Sequence, residues 1–209
     1  MNTRDWLSYT KLFAFLTLTL ISCEKEAVNN NNTIKDLRDG NVYNTLTIGN
    51  QVWMARNLNY NPDNGSWAYA NNSDNAVIYG RLYNWETACK VCPEGWHLPS
   101  ETEWAELIEY LGGNSFAGGK MKEAGTNHWA SPNLGATNES GLTALPGGYR
   151  DFQAPFLFRD LGESAIFWSS TEYDSSMAYT RGLYYAYSQV NGNPLEKDWG
   201  YSVRCIKDD

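Results

Sequence analysis

The sequence is short of the groups that metal and nucleic-acid chemistry need. Its 209 residues include two histidines and four cysteines, and 16 Lys and Arg stand against 24 Asp and Glu, a formal charge of −8. A zinc site asks for about four nitrogen or sulfur ligands in one place, and His97, His128 and the scattered cysteines do not form such a set. No metal and no other cofactor is expected. An acidic surface repels phosphates, so nucleic acid is not an expected partner. Proline is scarce, at 7 residues, and the 18 glycines follow no period, which excludes collagen-like winding. Rings are plentiful: 9 Trp, 14 Tyr and 7 Phe. Ile, Leu and Val are sparse beside them, so the composition predicts a compact, loop-rich fold pinned by aromatic side chains. The length fits one domain, which buries roughly two-thirds of its unfolded surface.

Long apolar runs are missing as well. The longest, Leu12 to Ile21, follows Arg4 and Lys11. At 1.5 Å per residue its ten residues span about 15 Å, half of a ~30 Å hydrocarbon core. It matches the apolar stretch of a signal peptide instead. Leu20-Ile21-Ser22-Cys23 resembles a bacterial lipobox, in which the cysteine is acylated and the chain is cut before it. Residues 1–22 therefore read as a lipoprotein signal peptide, and 23–38 as a tether lipidated at Cys23. Asn29 to Asn32 within the tether is a polar run with nothing to bury. The anchor makes the membrane a partner. Glu24-Lys25-Glu26 is similar to short acidic signals that send some lipoproteins to the outer face, which favours the cell-surface side of an outer membrane over the periplasmic side.

With Cys23 acylated, Cys89, Cys92 and Cys205 remain, and an exported chain is expected to form a disulfide. Cys89-Lys90-Val91-Cys92 has the spacing of a redox pair, but Pro93-Glu94-Gly95 follows where such a motif would open a helix. The better pairing joins Cys92 to Cys205, tying the last strand to the middle of the chain. Cys89 is then free, or an alternative partner.

Along the folded region, Asn41–Leu46 and Gln51–Ala55 flank Gly49-Asn50 and predict a hairpin. Asn57–Asn75 reads as loop. Leu82, Trp85 and Cys89 stand at helical spacing within Arg81–Cys89. Ser100 with Glu103 forms a capping box, and Trp104, Leu107, Ile108 and Leu111 follow as one apolar stripe that Gly112-Gly113 terminates. Gly118 to Gly148 reads as irregular. Strands are expected through Ala165–Ser169, Met177–Tyr187 and Tyr201–Ile206.

Several strings stand in order along this region. They are Asp39-Gly40-Asn41-Val42-Tyr43, Ile48-Gly49-Asn50-Gln51-Val52-Trp53-Met54 with Asn57-Leu58-Asn59-Tyr60, Gly80-Arg81-Leu82-Tyr83-Asn84-Trp85, and Cys92-Pro93-Glu94-Gly95-Trp96-His97-Leu98-Pro99-Ser100. Then come Gly118-Gly119-Lys120-Met121-Lys122, Ala144-Leu145-Pro146-Gly147-Gly148-Tyr149-Arg150, Trp168-Ser169-Ser170-Thr171, and Tyr201-Ser202-Val203-Arg204-Cys205-Ile206-Lys207-Asp208. Together they closely resemble the Fibrobacter succinogenes major paralogous domain (FISUMP) of exported bacterial lipoproteins, over residues 39–209. The family looks related to the C-type lectin-like fold shared with formylglycine-generating enzymes. Leu98 to Trp104 is similar to a helix start in those enzymes. The resemblance implies an α+β domain with short helices, a small twisted antiparallel sheet and long ordered loops.

It implies little chemistry. Formylglycine-generating enzymes use a late cysteine pair and copper, whereas only Cys205 lies late here. Glu101 and Glu103 are explained by capping and the helix dipole, and Ser169 and Ser170 lack the setting of a nucleophile. His97 is expected to pack beside Trp96, while His128, beside Trp129, is a possible ligand contact. The calcium motifs of sugar-binding C-type lectins are missing from the expected region; Asn61-Pro62-Asp63 lies too early. What remains is a binding reading. Flat rings meet the C–H faces of sugars while Asn, Asp and Arg meet hydroxyls. The candidates are Trp129, Tyr149, Arg150, Trp168, Glu172, Tyr173 and Trp199, of which Trp168 has the strongest claim to the core. The expected ligand is a glycan or another surface polymer. A structural or adhesive protein with a protein partner, and an oxidoreductase, are the alternatives.

Overall fold

The computed structural model describes residues 32–151 and 157–209. The signal segment, Cys23 and the tether as far as residue 31 lie outside the described residues. Within them no helix is long and apolar enough to cross a membrane. The first half contains β1 (Thr33–Lys35), β2 (Val42–Ile48), β3 (Gln51–Met54), β4 (Ser66–Trp67), α1 (Ser73–Tyr79), β5 (Leu82–Tyr83), α2 (Trp85–Ala88) and β6 (Trp96–His97). Then follow α3 (Glu101–Tyr110), α4 (Asn114–Met121), β7 (Gly147–Arg150), β8 (Phe158–Leu161), β9 (Ser164–Glu172), β10 (Met177–Tyr184), β11 (Asn191–Glu196), β12 (Tyr201–Ser202) and β13 (Ile206–Lys207).

This is a mixed α+β unit with few, short helices. In place of one small sheet there are two: β1-β2-β3-β13-β6, and a larger one in the order β11-β10-β9-β12-β5-β4 that β7 and β8 join at β9. Pairing is antiparallel except at β12–β9 and β7–β9. The last strands hold the two sheets together, since β12 belongs to the large sheet and β13, four residues on, to the small one. Cys92–Cys205 closes next to that crossing, over a sequence separation of 113. Loop-closure entropy alone assigns a ring of that size ~4–5 kcal/mol.

The expected hairpin is β2–β3, with Ile48 facing Gln51 and Gly49 at a φ of 60° in the turn. The capping box is present: Ser100 N–H donates to Glu103 Oε2 at 2.7 Å, and Glu103 N–H to Ser100 Oγ at 3.3 Å. Trp104, Leu107 and Ile108 of α3 are buried, with Trp104 packed on Trp53 (ring centroids 4.8 Å apart) and on Phe167 (5.7 Å). Three expectations fail. The helix over 81–89 shrinks to Trp85–Ala88, because Leu82 pairs in the sheet with Trp67 and Ser202, and Asn84 caps the helix by accepting from Thr87 N–H. Ser73–Tyr79, partly inside the expected loop, is helical, capped by Asn72 and ended by Gly80. Asn114–Met121 is helical despite its two glycines. A Cβ on Gly118 would lie 2.6 Å from the Gln189 carbonyl oxygen, and one on Gly119 would lie 2.2 Å from that of Gly135. Close packing requires glycine there and overrides its poor helix propensity.

Candidate functional site

The structure removes two of the ring candidates. Trp129 is 2% exposed and donates its indole N–H to Ala144 O at 3.0 Å. Trp168 is fully buried, donates to Tyr83 O at 2.7 Å and meets Tyr201 edge-on. An enclosed ring has no face to offer a ligand. Both are core residues whose polar atoms the backbone satisfies.

Three others come together. Tyr149 on β7 lies parallel to Trp199, with an interplanar angle of 2° and ring centroids 5.7 Å apart. Arg150 lies 4.0 Å above the Trp67 ring. Two backbone hydrogen bonds between Arg150 and Gly200 (2.9 and 2.8 Å) fasten β7 to the segment carrying Trp199. Glu172 and Tyr173 are exposed at the end of β9. Tyr173 meets Tyr179 edge-on. Glu172 forms an ion pair with Lys197, two residues before Trp199.

Lys197 leads to a groove that sequence reasoning missed. It has a volume of about 430 Å³ and is walled by Asn84, Trp85 and Glu86, by Ser175 and Ser176, and by Glu196 to Asp198. Backbone hydrogen bonds fix its walls: Trp85 N–H donates to Lys197 O, and Lys197 N–H to Ser176 O, both at 2.9 Å. The Trp85 indole N–H donates to Ser169 O at 2.9 Å. The Lys197 ammonium lies 4.6 Å from the centre of the Trp85 ring and donates to Asp174 O at 2.6 Å as well as to Glu172. The backbone N–H groups of Ser176 and Met177 hold the Asp174 carboxyl below the usual carboxylate range. Glu196 and Asp198 make no ion pair with a cation among the described residues.

A second groove, about 350 Å³, shares Asn84 and Glu86 with the first. Tyr60 lines it, with the Arg38 guanidinium 3.9 Å above the ring. Arg38 is fixed by the buried Asp36 (2.6 Å) and by Val91 O (2.8 Å). Burial alone would raise the Asp36 carboxyl; the Arg38 hydrogen bonds outweigh it and hold it low. Gly65, at a φ of 73°, sets the width, since a Cβ there would fall 2.0 Å from Thr87 Oγ1.

Reactive groups are held in structural roles. Cys92 is bonded to Cys205, and desolvation pushes the unpaired Cys89 thiol up to about 11, away from thiolate chemistry. Ser100, Glu103, His97 and Asp208 form a chain, but the Ser100 hydroxyl donates to the carboxylate of its own capping box, and the His97 imidazole contacts Glu103 and Asp208 instead of the hydroxyl. His97 sits between Glu103 (2.7 Å) and Asp208 (2.6 Å). His128 contacts the Glu123 carboxylate at 2.9 Å, and Tyr79 meets its ring edge-on. Among the described residues no group of three His, Cys, Asp or Glu side chains could hold a metal ion.

The strings that carry the resemblance are mostly scaffold. Trp168-Ser169-Ser170-Thr171 coincides with a register shift between β9 and β10. The carbonyls of Trp168 and Ser169 receive the indoles of Trp104 and Trp85, Ser170 N–H donates to Pro99 O, and Thr171 Oγ1 accepts from the first N–H of α3. Lys122 is fully buried, with its ammonium donating to the carbonyls of Leu134, Tyr184 and Tyr187 at 2.8–3.0 Å. Arg204, also fully buried, donates to Met54 O, Leu142 O and Asn57 Oδ1.

A family profile described as the Fibrobacter succinogenes major domain matches residues 46–207, from β2 to β13. No curated protein and no solved structure matches the chain. The profile covers the large sheet, the small sheet from the end of β2 onward, the disulfide and the buried Lys122 and Arg204, and the chain belongs to the Fibrobacter succinogenes major domain family.

Proposed function

We propose that this protein is an exported binding module of the C-type lectin-like kind, lipid-anchored through Cys23 and displayed at the outer-membrane surface, where it takes a glycan or similar polymer. The groove at Trp85 carries the reading. One large ring lies there among amide, hydroxyl and carboxylate side chains from α2, the β9–β10 turn and Glu196–Asp198. That mixture suits ligands with apolar faces and hydroxyl rims. The parallel Tyr149–Trp199 pair adds ring surface, and Trp199 lies two residues beyond Lys197. The lipobox-like Leu20-Ile21-Ser22-Cys23 supports the anchor, and Leu98–Trp104 with the Cys92–Cys205 bridge supports the lectin-like assignment.

A glycan array probed with the mature chain carrying Cys23→Ala, with and without calcium, tests the binding. Saturable binding to a glycan class, weakened at least about tenfold by Trp85→Ala with the circular dichroism spectrum unchanged, is the expected outcome. Binding that Trp85→Ala leaves intact would move the site elsewhere. Labelled palmitate incorporated by the wild type and lost in Cys23→Ala tests the anchor.

A further inference from the structure

The two grooves have a common wall, and their linings differ in a way that constrains the ligand. Asn84 and Glu86 belong to both and form the ridge at which the two grooves adjoin. Each side has a ring, Tyr60 in one and Trp85 in the other. Together the volumes, about 350 and 430 Å³, are far larger than one sugar ring needs and fall in the range of sites that enclose several-ring ligands. The ridge is a fixed feature: Asn84 caps α2 through Thr87 N–H, and Gly65 packs against Thr87 too closely for any side chain.

Charge narrows the class further. Every cation lining the grooves is already matched: Arg38 by Asp36, Lys90 by Glu86 and Lys197 by Glu172. Glu196 and Asp198 are left over, among the described residues, as unmatched negative charge along the Trp85 side. A polyanion entering would meet repulsion with no free cation to offset it, whereas a neutral or amine-bearing chain would not. Asn64, Asn84, Thr87, Ser175 and Ser176 supply amides and hydroxyls beside the two rings, which suits a sugar chain.

We infer that the paired grooves bind a linear, uncharged or amine-bearing oligosaccharide laid across the Asn84–Glu86 ridge, and discriminate against acidic glycans. This rests on the glycan-binding reading above. The test is calorimetric titration of the detergent-solubilised full-length protein with N-acetylglucosamine, its β1,4-linked tetramer, the deacetylated tetramer and tetragalacturonate. The tetramers of neutral and amine-bearing sugar should bind at least about tenfold more tightly than the monosaccharide and at least about tenfold more tightly than tetragalacturonate. Tyr60→Leu should remove the tetramer's advantage over the monosaccharide. Asn64→Ile, at an exposed position on the same side, should do so independently. Glu196→Gln with Asp198→Asn should raise tetragalacturonate binding. Equal affinity for monosaccharide and tetramer, or for acidic and neutral tetramers, overturns the inference and leaves the glycan reading standing. Failure of every sugar, or binding of a lysine-rich peptide alone, overturns both.

Discussion

Single side chains here show how a polar group is kept inside an aromatic core. Among the described residues Lys122 and Arg204 have no carboxylate partner; backbone carbonyls and one side-chain amide accept their hydrogen bonds instead. Desolvation lowers both, to about 8 for Lys122 and about 9 for Arg204. Burial is a cost, yet removing either side chain would strand the carbonyls it serves. His97 is the opposite case. Burial opposes its charge, but the hydrogen bonds it donates to Asp208 and Glu103 outweigh that and raise the pKa above 6.5. Glu103 is likewise held low against its own burial, first by the Ser100 N–H. The His97 contribution is therefore complete below pH 6.5 and fades as pH rises through the raised value. That of Glu103 is complete above 4.5 and fades on acidification. The clasp between α3 and β13 is tightest between about pH 4.5 and 6.5. At 41% side-chain exposure the His97 effect is screened and modest. Thermal melts of the wild type should decline in Tm from pH 6.5 toward about 8, where the lowered Lys122 ammonium itself titrates, and His97→Gln should flatten that limb; parallel profiles would show that the imidazole is not coupled to folding.

Elements differ in how much of them the sequence discloses. Helix α3 was legible because three local signals agree: the Ser100–Glu103 box, the stripe from Trp104 to Leu111, and the Gly112-Gly113 stop. Helix α4 was not, because its glycines answer to the backbone at 135 and 188–189, contacts that no local window contains. Helix α2 was overextended for a related reason: Leu82 has helical spacing from Trp85 but is held by sheet partners at Trp67 and Ser202. The same limit hid the groove, whose walls are distant in sequence, and it left Trp129 and Trp168 as ligand candidates when the core encloses them. The motif at β9 shows the coupling between elements, since Thr171 Oγ1 receives the Glu101 N–H that α3 itself cannot satisfy. Thr171→Val keeps shape and deletes that acceptor. It should lower stability by about 1 kcal/mol, a Tm loss of roughly 2–4 °C for a domain of this size. An unchanged melt would assign the α3 N-terminus to the Ser100 cap alone.

For the whole molecule, the disulfide joins the point where the chain passes from one sheet to the other to the segment after α2. Reduction frees a long ring in the unfolded state, and by loop-closure entropy it should cost ~4–5 kcal/mol. Melting with and without a reducing agent should show a Tm fall of about 10 °C or more. A fall of only a degree or two would mean that the sheets hold without it.

The same bond governs what the protein can do under mechanical load. Force applied from the N-terminal side would reach the described fold first at β1, whose register of Thr33, Ile34 and Lys35 on Asn44, Tyr43 and Val42 lies at a sheet edge. Pulled apart by its two ends, the folded unit can pay out residues 32–92 and the few after Cys205, ~200 Å of chain at about 3.5 Å per residue, before tension meets the covalent link. Everything from Cys92 to Cys205 is then bypassed by the load. That protected ring includes α3, β9, Lys122 and the Glu196–Asp198 wall of the groove, so the bridge acts as a strain limiter for most of the domain.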